Sequence, residues 1–87
     1  MNKEMLIAAI KEVATPYTGD KTALDNINEE TDFIKDLKIN SANLVDIVLD
    51  LEEKFGIEID NDAMAKMLNV KSTIEIIEAK LAENDRK

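Results

Sequence analysis

The stretch that decides the fold begins Asp36-Leu37-Lys38-Ile39-Asn40-Ser41 and runs through an acidic, amphipathic segment to Leu51-Glu52-Glu53-Lys54-Phe55-Gly56-Ile57-Glu58-Ile59. Asn40 is a favourable N-cap, because its side-chain oxygen can accept a free backbone N–H of a first helical turn. Gly56 suits the left-handed residue that closes a helix. The spacing therefore predicts a helix over 41–55. With residues placed about 100° apart, Leu44, Ile47, Val48, Leu51 and Phe55 share one side and make a core stripe. Ala42, Val45 and Leu49 form a second apolar strip elsewhere, with Asp46 and Glu53 along one edge and Glu52 along the other. A surface helix does not need that strip to fold. Either it packs on another helix or is scattered exposed aliphatics, or it is a docking surface with an apolar centre and an acidic rim, starting at Ser41.

Upstream, Leu6, Ile10, Val13 and Tyr17 recur at helical spacing, so a first helix is expected from about Lys3 to Tyr17, with Pro16 ending or fraying its last turn. Thr18-Gly19-Asp20 reads as a turn. The polar stretch over 21–31 reads mainly as a long loop, with Leu24 and Ile27 pinned to the core. Phe33, Ile34 and Leu37 are expected to form a short turn that seats it. Downstream, Ile57 and Ile59 flank Glu58 in an extended link. Asp60-Asn61-Asp62 reads as the cap of a short third helix with Ala63, Met64, Met67 and Leu68 apolar. Ser72-Thr73-Ile74-Glu75 matches a capping box, which starts the last helix at Ser72. Ile74, Ile77 and Leu81 make its buried stripe, and fraying is expected over 84–87. The expected architecture is all-α: a four-helix bundle of three main helices and one short helix with a long first loop. A single domain is expected over 1–87, with its core at about 3–82.

Composition narrows the function. The 87 residues carry a net charge of -8, with 45% hydrophobic and 34% charged residues. That is an ordinary globular balance. Binding to nucleic acid or anionic lipid is disfavoured by charge, and partners with basic patches are favoured. No apolar run approaches the roughly 20 residues that span a bilayer, so no membrane insertion is expected. An early acid in Met1-Asn2-Lys3-Glu4-Met5 argues against a signal peptide. The absence of cysteine excludes disulfides and thiolate metal sites and is consistent with a cytoplasmic location. With no histidine either, the usual acid–base residue is missing, and an enzyme is not expected; no catalytic residue is assigned. Glu52 and Glu53 are adjacent on the helix and diverge. Asp60-Asn61-Asp62 lacks the glycine and distal glutamate of a calcium loop, so no metal site is expected.

Ser41 has a structural reading, as a helix-start serine, and a functional one. A serine without a base is a poor nucleophile but a good attachment point. Unpaired N–H groups and a partial positive charge at a helix N-terminus tolerate an anionic phosphodiester.

On these residues the chain resembles the acyl carrier protein family over nearly its whole length. That family typically shows Asp-Leu-Gly-Xaa-Asp-Ser-Leu before its second helix and ends that helix Leu-Glu-Glu-Xaa-Phe-Gly-Ile-Xaa-Ile. Leu51 to Ile59 match the second pattern without gaps, and Ser41 falls at the same distance upstream. The resemblance implies that a phosphopantetheinyl transferase modifies Ser41 from coenzyme A. The attached 4′-phosphopantetheine would supply the thiol this polypeptide lacks and carry acyl groups as thioesters for fatty acid or related lipid or specialised biosynthesis. It also implies that Ala42, Val45, Asp46, Leu49, Glu52 and Glu53 dock on basic surfaces of partner enzymes, with the carrier a monomer. An aminoacyl, peptidyl or polyketide carrier shares the same fold and serine, and an unmodified interaction module remains an alternative. The departures are Lys38 for the usual glycine, Asn40 for the aspartate, Ala42 for the leucine and Asn43 where an acid is common. They predict dedicated partners, as in a second carrier beside a housekeeping one.

Overall fold

The structure, a computed structural model, describes residues 2–85. Five helices follow one another: α1 Lys3–Ala14, α2 Lys21–Asp25, α3 Ser41–Phe55, α4 Asn61–Ala65 and α5 Val70–Asp85. The three long helices are those the periodicity predicts, and α1 packs on both α3 and α5. The fold is all-helical, as expected.

Each helix starts on a short polar side chain that accepts a first-turn N–H. Asn2 takes Met5 N at 2.8 Å, Asp20 takes Ala23 N at 3.0 Å, and Asn40 takes Ala42 N at 2.9 Å. Asp60 takes Ala63 N at 2.8 Å, and Asn69 takes Ser72 N at 2.9 Å. Such a cap stabilises a helix start by about 1 kcal/mol. Two of these differ from the sequence reading. Asp20 caps a helical turn inside the stretch read as loop, which buries Leu24 there. Asn69, not Ser72, caps α5: Val70 is fully buried, and Thr73 Oγ1 donates to Asn69 O at 3.0 Å, so the helix begins two residues earlier.

The other boundaries shift little. The first helix stops at Ala14 rather than Tyr17, because Pro16 has no N–H to continue the ladder. Tyr17 N and Thr18 N both return to Ala14 O at 3.0 Å and close the end. The last helix reaches Asp85, so fraying does not begin at 84; positions 86 and 87 of that expectation lie outside the described residues.

The core is aliphatic. Leu6, Ile10, Val13 and Ala14 of α1 meet Ile47, Val48 and Leu51 of α3 and Val70, Ile74 and Ile77 of α5. Irregular segments contribute as much as a helix does. Phe33, Leu37, Ile39, Ile57 and Met67 are all buried, beside Leu24 of α2. Ile34, expected to help seat the long loop, is instead 39% exposed, and Leu68 is 58% exposed. The seat is made by Phe33 and Leu37 alone.

Backbone hydrogen bonds lock these segments together. Phe33 N donates to Leu68 O, Val70 N to Thr31 O and Lys71 N to Glu29 O, which sets residues 29–33 beside residues 68–71. Asp32 and Asp36 build the turn between them: Asp32 Oδ1 accepts from Ile34 N and Lys35 N at 2.8 Å, and Asp36 Oδ2 accepts from Asp32 N at 2.7 Å. The turn after α1 is pinned to the same loop, with Thr18 Oγ1 at 2.8 Å and Gly19 N at 2.9 Å from Leu37 O. A Cβ at Gly19 would stand 3.0 Å from Lys38 O, so a side chain there would push the two segments apart by a few tenths of an ångström.

Among the described residues, two have left-handed backbones. Gly56, at φ 64°, ends α3, and a Cβ there would meet nothing. Lys38, at φ 54°, holds the same conformation with a side chain. For an L-residue that conformation costs about 1–2 kcal/mol. Gly56→Ala is therefore expected to lower the melting temperature by roughly 4–8 °C, for a loss of about 1 kcal/mol in a domain this small. Lys38→Gly relieves that strain and is expected to leave the melting temperature level or raise it. Thermal melts monitored by circular dichroism check both; a drop for Lys38→Gly would contradict the strain.

Candidate functional site

Ser41 is the first residue of α3 and is exposed. It follows the extended Asn40 (φ -64°, ψ 136°), whose backbone oxygen accepts from Asn43 N at 2.8 Å and Leu44 N at 3.2 Å. With Ala42 N capped by the Asn40 side chain, the first turn is satisfied without drawing on the Ser41 hydroxyl. Among the described residues no hydrogen bond engages that hydroxyl. Behind it, Ile39 is buried and donates its N–H to Phe33 O at 3.0 Å. The serine thus stands on a fixed base with a free, outward hydroxyl. The helix dipole beside it favours an anion. That is what a phosphodiester-linked group needs: an accessible oxygen, tolerance of negative charge, and no competing acid in the first turn.

The residues of the second strip come together along α3. Val45 is 45% exposed and Leu49 is 53% exposed, with Ala42 also exposed. Asp46 and Glu53 stand exposed on the same helix. Glu52 differs. It is half-buried, and its Oε2 accepts from Ile59 N at 2.7 Å, tying the end of α3 to the link before α4. Leu44 and Phe55 turn the other way and pack on the core.

Sequence reasoning missed three features here. Lys38 adopts a glycine-like backbone, for which no local signal exists beyond the family's glycine. Asp36, first residue of the recognisable motif, serves the turn with Asp32. Tyr17 reaches α3 and, among the described residues, is the one group with a displaced titration. Desolvation first, then the charges of Asp50 and Asp46, push its hydroxyl above the ordinary 10.0.

Residues 17–77 match the family described as phosphopantetheine attachment site. The chain is 36% identical over 71 residues to the acyl carrier protein of Nitratidesulfovibrio vulgaris, covering 82% of this chain and 91% of that protein. It is 35% identical over 80 residues to the acyl carrier protein of Lactobacillus acidophilus, covering 91% and 96%. A crystal structure of an acyl carrier protein from Thermotoga maritima superposes with a TM-score of 0.79 at 32% identity, covering 95% of this chain and 94% of that one. The fold and the matched domain define a helical phosphopantetheine-bearing carrier. This chain belongs to the acyl carrier protein family, and it carries acyl groups on phosphopantetheine. None of its described helices is long and apolar enough to cross a membrane.

Tyr17 is the chain's single tyrosine, so its titration can be read directly by phenolate absorbance. The midpoint is expected above 10.0, moving back toward it in Asp50→Asn. Because the folded state raises this value, the associated stability is complete below the unfolded tyrosine value and lost as pH rises through the folded one. A midpoint at or below 10.0 in the folded protein would contradict the contact.

Proposed function

We propose that Ser41 is the residue that carries 4′-phosphopantetheine, and that the exposed strip of α3 docks the enzymes that load and use it. The observation that carries this reading is the free, exposed hydroxyl at the start of a fully capped helix, at the position the family pattern expects. Within the chain no histidine or cysteine is available to activate the serine. The base must come from a phosphopantetheinyl transferase. In that transfer the Ser41 Oγ–P bond forms, the pyrophosphate P–O bond of coenzyme A breaks, and the nucleotide leaves while the transferase takes the serine proton. Once attached, the group supplies a terminal thiol on which acyl chains ride as thioesters. The polypeptide contributes presentation and recognition, and acts as a non-enzymatic carrier.

Recognition rests on Ala42, Val45 and Leu49 as the apolar centre and Asp46 and Glu53 as free acids, against basic surfaces on biosynthetic enzymes. Glu52 belongs to this face by position, though one of its oxygens is engaged in holding Ile59. Ala42 offers only a methyl where the family carries leucine, and Asn40 and Asn43 remove two charges beside Ser41. These differences support dedicated partners in fatty acid or related acyl biosynthesis. We take the chain to be one carrier domain over 1–87, monomeric and cytoplasmic.

The test is the intact mass before and after incubation with coenzyme A and a broad-specificity phosphopantetheinyl transferase. A phosphopantetheine increment on the wild type and none on Ser41→Ala is expected; the same increment on both would move the attachment elsewhere. Charge reversal at Asp46 or Glu53 is expected to reduce partner turnover several-fold with helicity unchanged. Unchanged turnover would place docking on another face.

A further inference from the structure

Lys38 is an exposed residue between two anchored neighbours. Leu37 and Ile39, on either side of it, are buried. Leu37 O accepts from Thr18 Oγ1 at 2.8 Å and from Gly19 N at 2.9 Å, and Ile39 N donates to Phe33 O at 3.0 Å. Gly19 also lies close against Lys38, since a Cβ on it would stand 3.2 Å from Lys38 Cβ. The side chain therefore leaves the surface from a fixed point. Its backbone is left-handed, at φ 54°, a conformation that glycine adopts without steric penalty. The path of the chain needs that backbone. It does not need the lysine side chain, which forms no ion pair among the described residues.

Charge sets this position apart. Lys38 is the only cation over 36–53, and the next, Lys54, is bridged to Glu12 at 3.4 Å. Asp20, Glu30 and Asp36 line the same groove as Lys38, and none of them is ion-paired with it. Asp20 and Asp36 instead accept backbone N–H groups, from Ala23 and Asp32. The family pattern Asp-Leu-Gly-Xaa-Asp-Ser-Leu fixes two acids around the serine. Here Asp36-Leu37-Lys38-Ile39-Asn40-Ser41-Ala42 carries one acid and one cation. A surface that complements the family pattern is basic at this edge. Against this chain the same surface loses an attraction and meets a repulsion. The span from Lys38 to Ser41 is three residues, at most about 11 Å. That is close to the screening length of about 8–10 Å at ordinary salt. An enzyme that closes on Ser41 therefore works within the field of this ammonium.

We propose that Lys38 is a specificity-determining residue: its ammonium repels enzymes with a basic group at the edge of the cleft that receives Ser41, and favours enzymes neutral or acidic there. The inference rests on attachment at Ser41. Discrimination of this kind works through a misplaced like charge rather than through a better contact. The α3 acids still attract a basic surface farther along the helix. A matching partner is thus two-signed, basic opposite Asp46 and Glu53 and neutral or acidic beside Lys38.

The test measures kcat/KM for phosphopantetheine transfer from coenzyme A by a housekeeping transferase, one that loads carriers with the Asp-Ser-Leu pattern. A broad-specificity transferase first establishes, by intact mass, that each variant can be loaded. Lys38→Gln and Lys38→Gly are both expected to raise kcat/KM by about threefold or more, and Lys38→Glu further, with the gains shrinking as salt is added. Lys38→Arg keeps the charge and is expected to show no gain. The glutamine variant keeps the left-handed strain and the glycine variant relieves it, so equal gains assign the effect to charge. A gain in Lys38→Gly alone would trace it to the backbone, and an equal gain in Lys71→Gln would trace it to net charge. Either result overturns the proposal, as do rates unchanged in every Lys38 variant. No loading of any variant by the broad-specificity transferase would instead overturn attachment at Ser41, and this proposal with it.

Discussion

Phe33 is the residue on which the site depends. Its ring is fully buried, its N–H donates to Leu68 O, and its carbonyl accepts from Ile39 N. One residue thus joins three parts of the chain: the connection into α5, the segment that delivers Ser41, and the core between the long helices. A buried phenylalanine contributes about 3–5 kcal/mol against truncation, a large share of the 5–15 kcal/mol that holds a domain folded. The long helices could pack without it, but the base of α3 would lose its fixed height relative to them.

The surface ion pairs have little part in this. Lys3–Glu29, Lys11–Asp25 and Lys54–Glu12 all have substantially exposed partners, and pairs of that kind contribute at most about 1 kcal/mol. Order in the irregular segments comes instead from short polar side chains bonded to backbone: Asp32, Asp36, Thr18 and Asn69. An acidic protein gains from this arrangement, because its carboxylates accept N–H groups where too few cations exist to pair them all.

Legibility in the sequence followed periodicity. The helix over 41–55 and its two faces were readable because apolar spacing and both caps agree. So was the exposed position of Ser41, which follows from Asn40 as cap. What could not be read depends on partners distant in sequence. The turn at Lys21–Asp25 is too short to show a period, and its cap, Asp20, looks like any loop aspartate. Asn69 outcompetes the capping box at Ser72 because Val70 is pulled into the core by its bond to Thr31 O. Ile34 and Phe33 are neighbours of similar hydrophobicity, and only the Phe33–Leu68 pairing determines which one faces inward. For the same reason the sequence places Glu52 and Glu53 on opposite edges of one docking face, and only the bond from Ile59 shows that Glu52 also holds the backbone.

That last asymmetry bears on how any mutational map of this face should be interpreted. Glu53 can change its charge with no side-chain hydrogen bond to lose among the described residues. Glu52 cannot, since its carboxylate is also the clasp that fixes where the link to α4 leaves α3. A binding screen alone would score both as contact residues of equal rank. At Glu52 the loss would arrive through a displaced α4, an architectural effect read out as a recognition one.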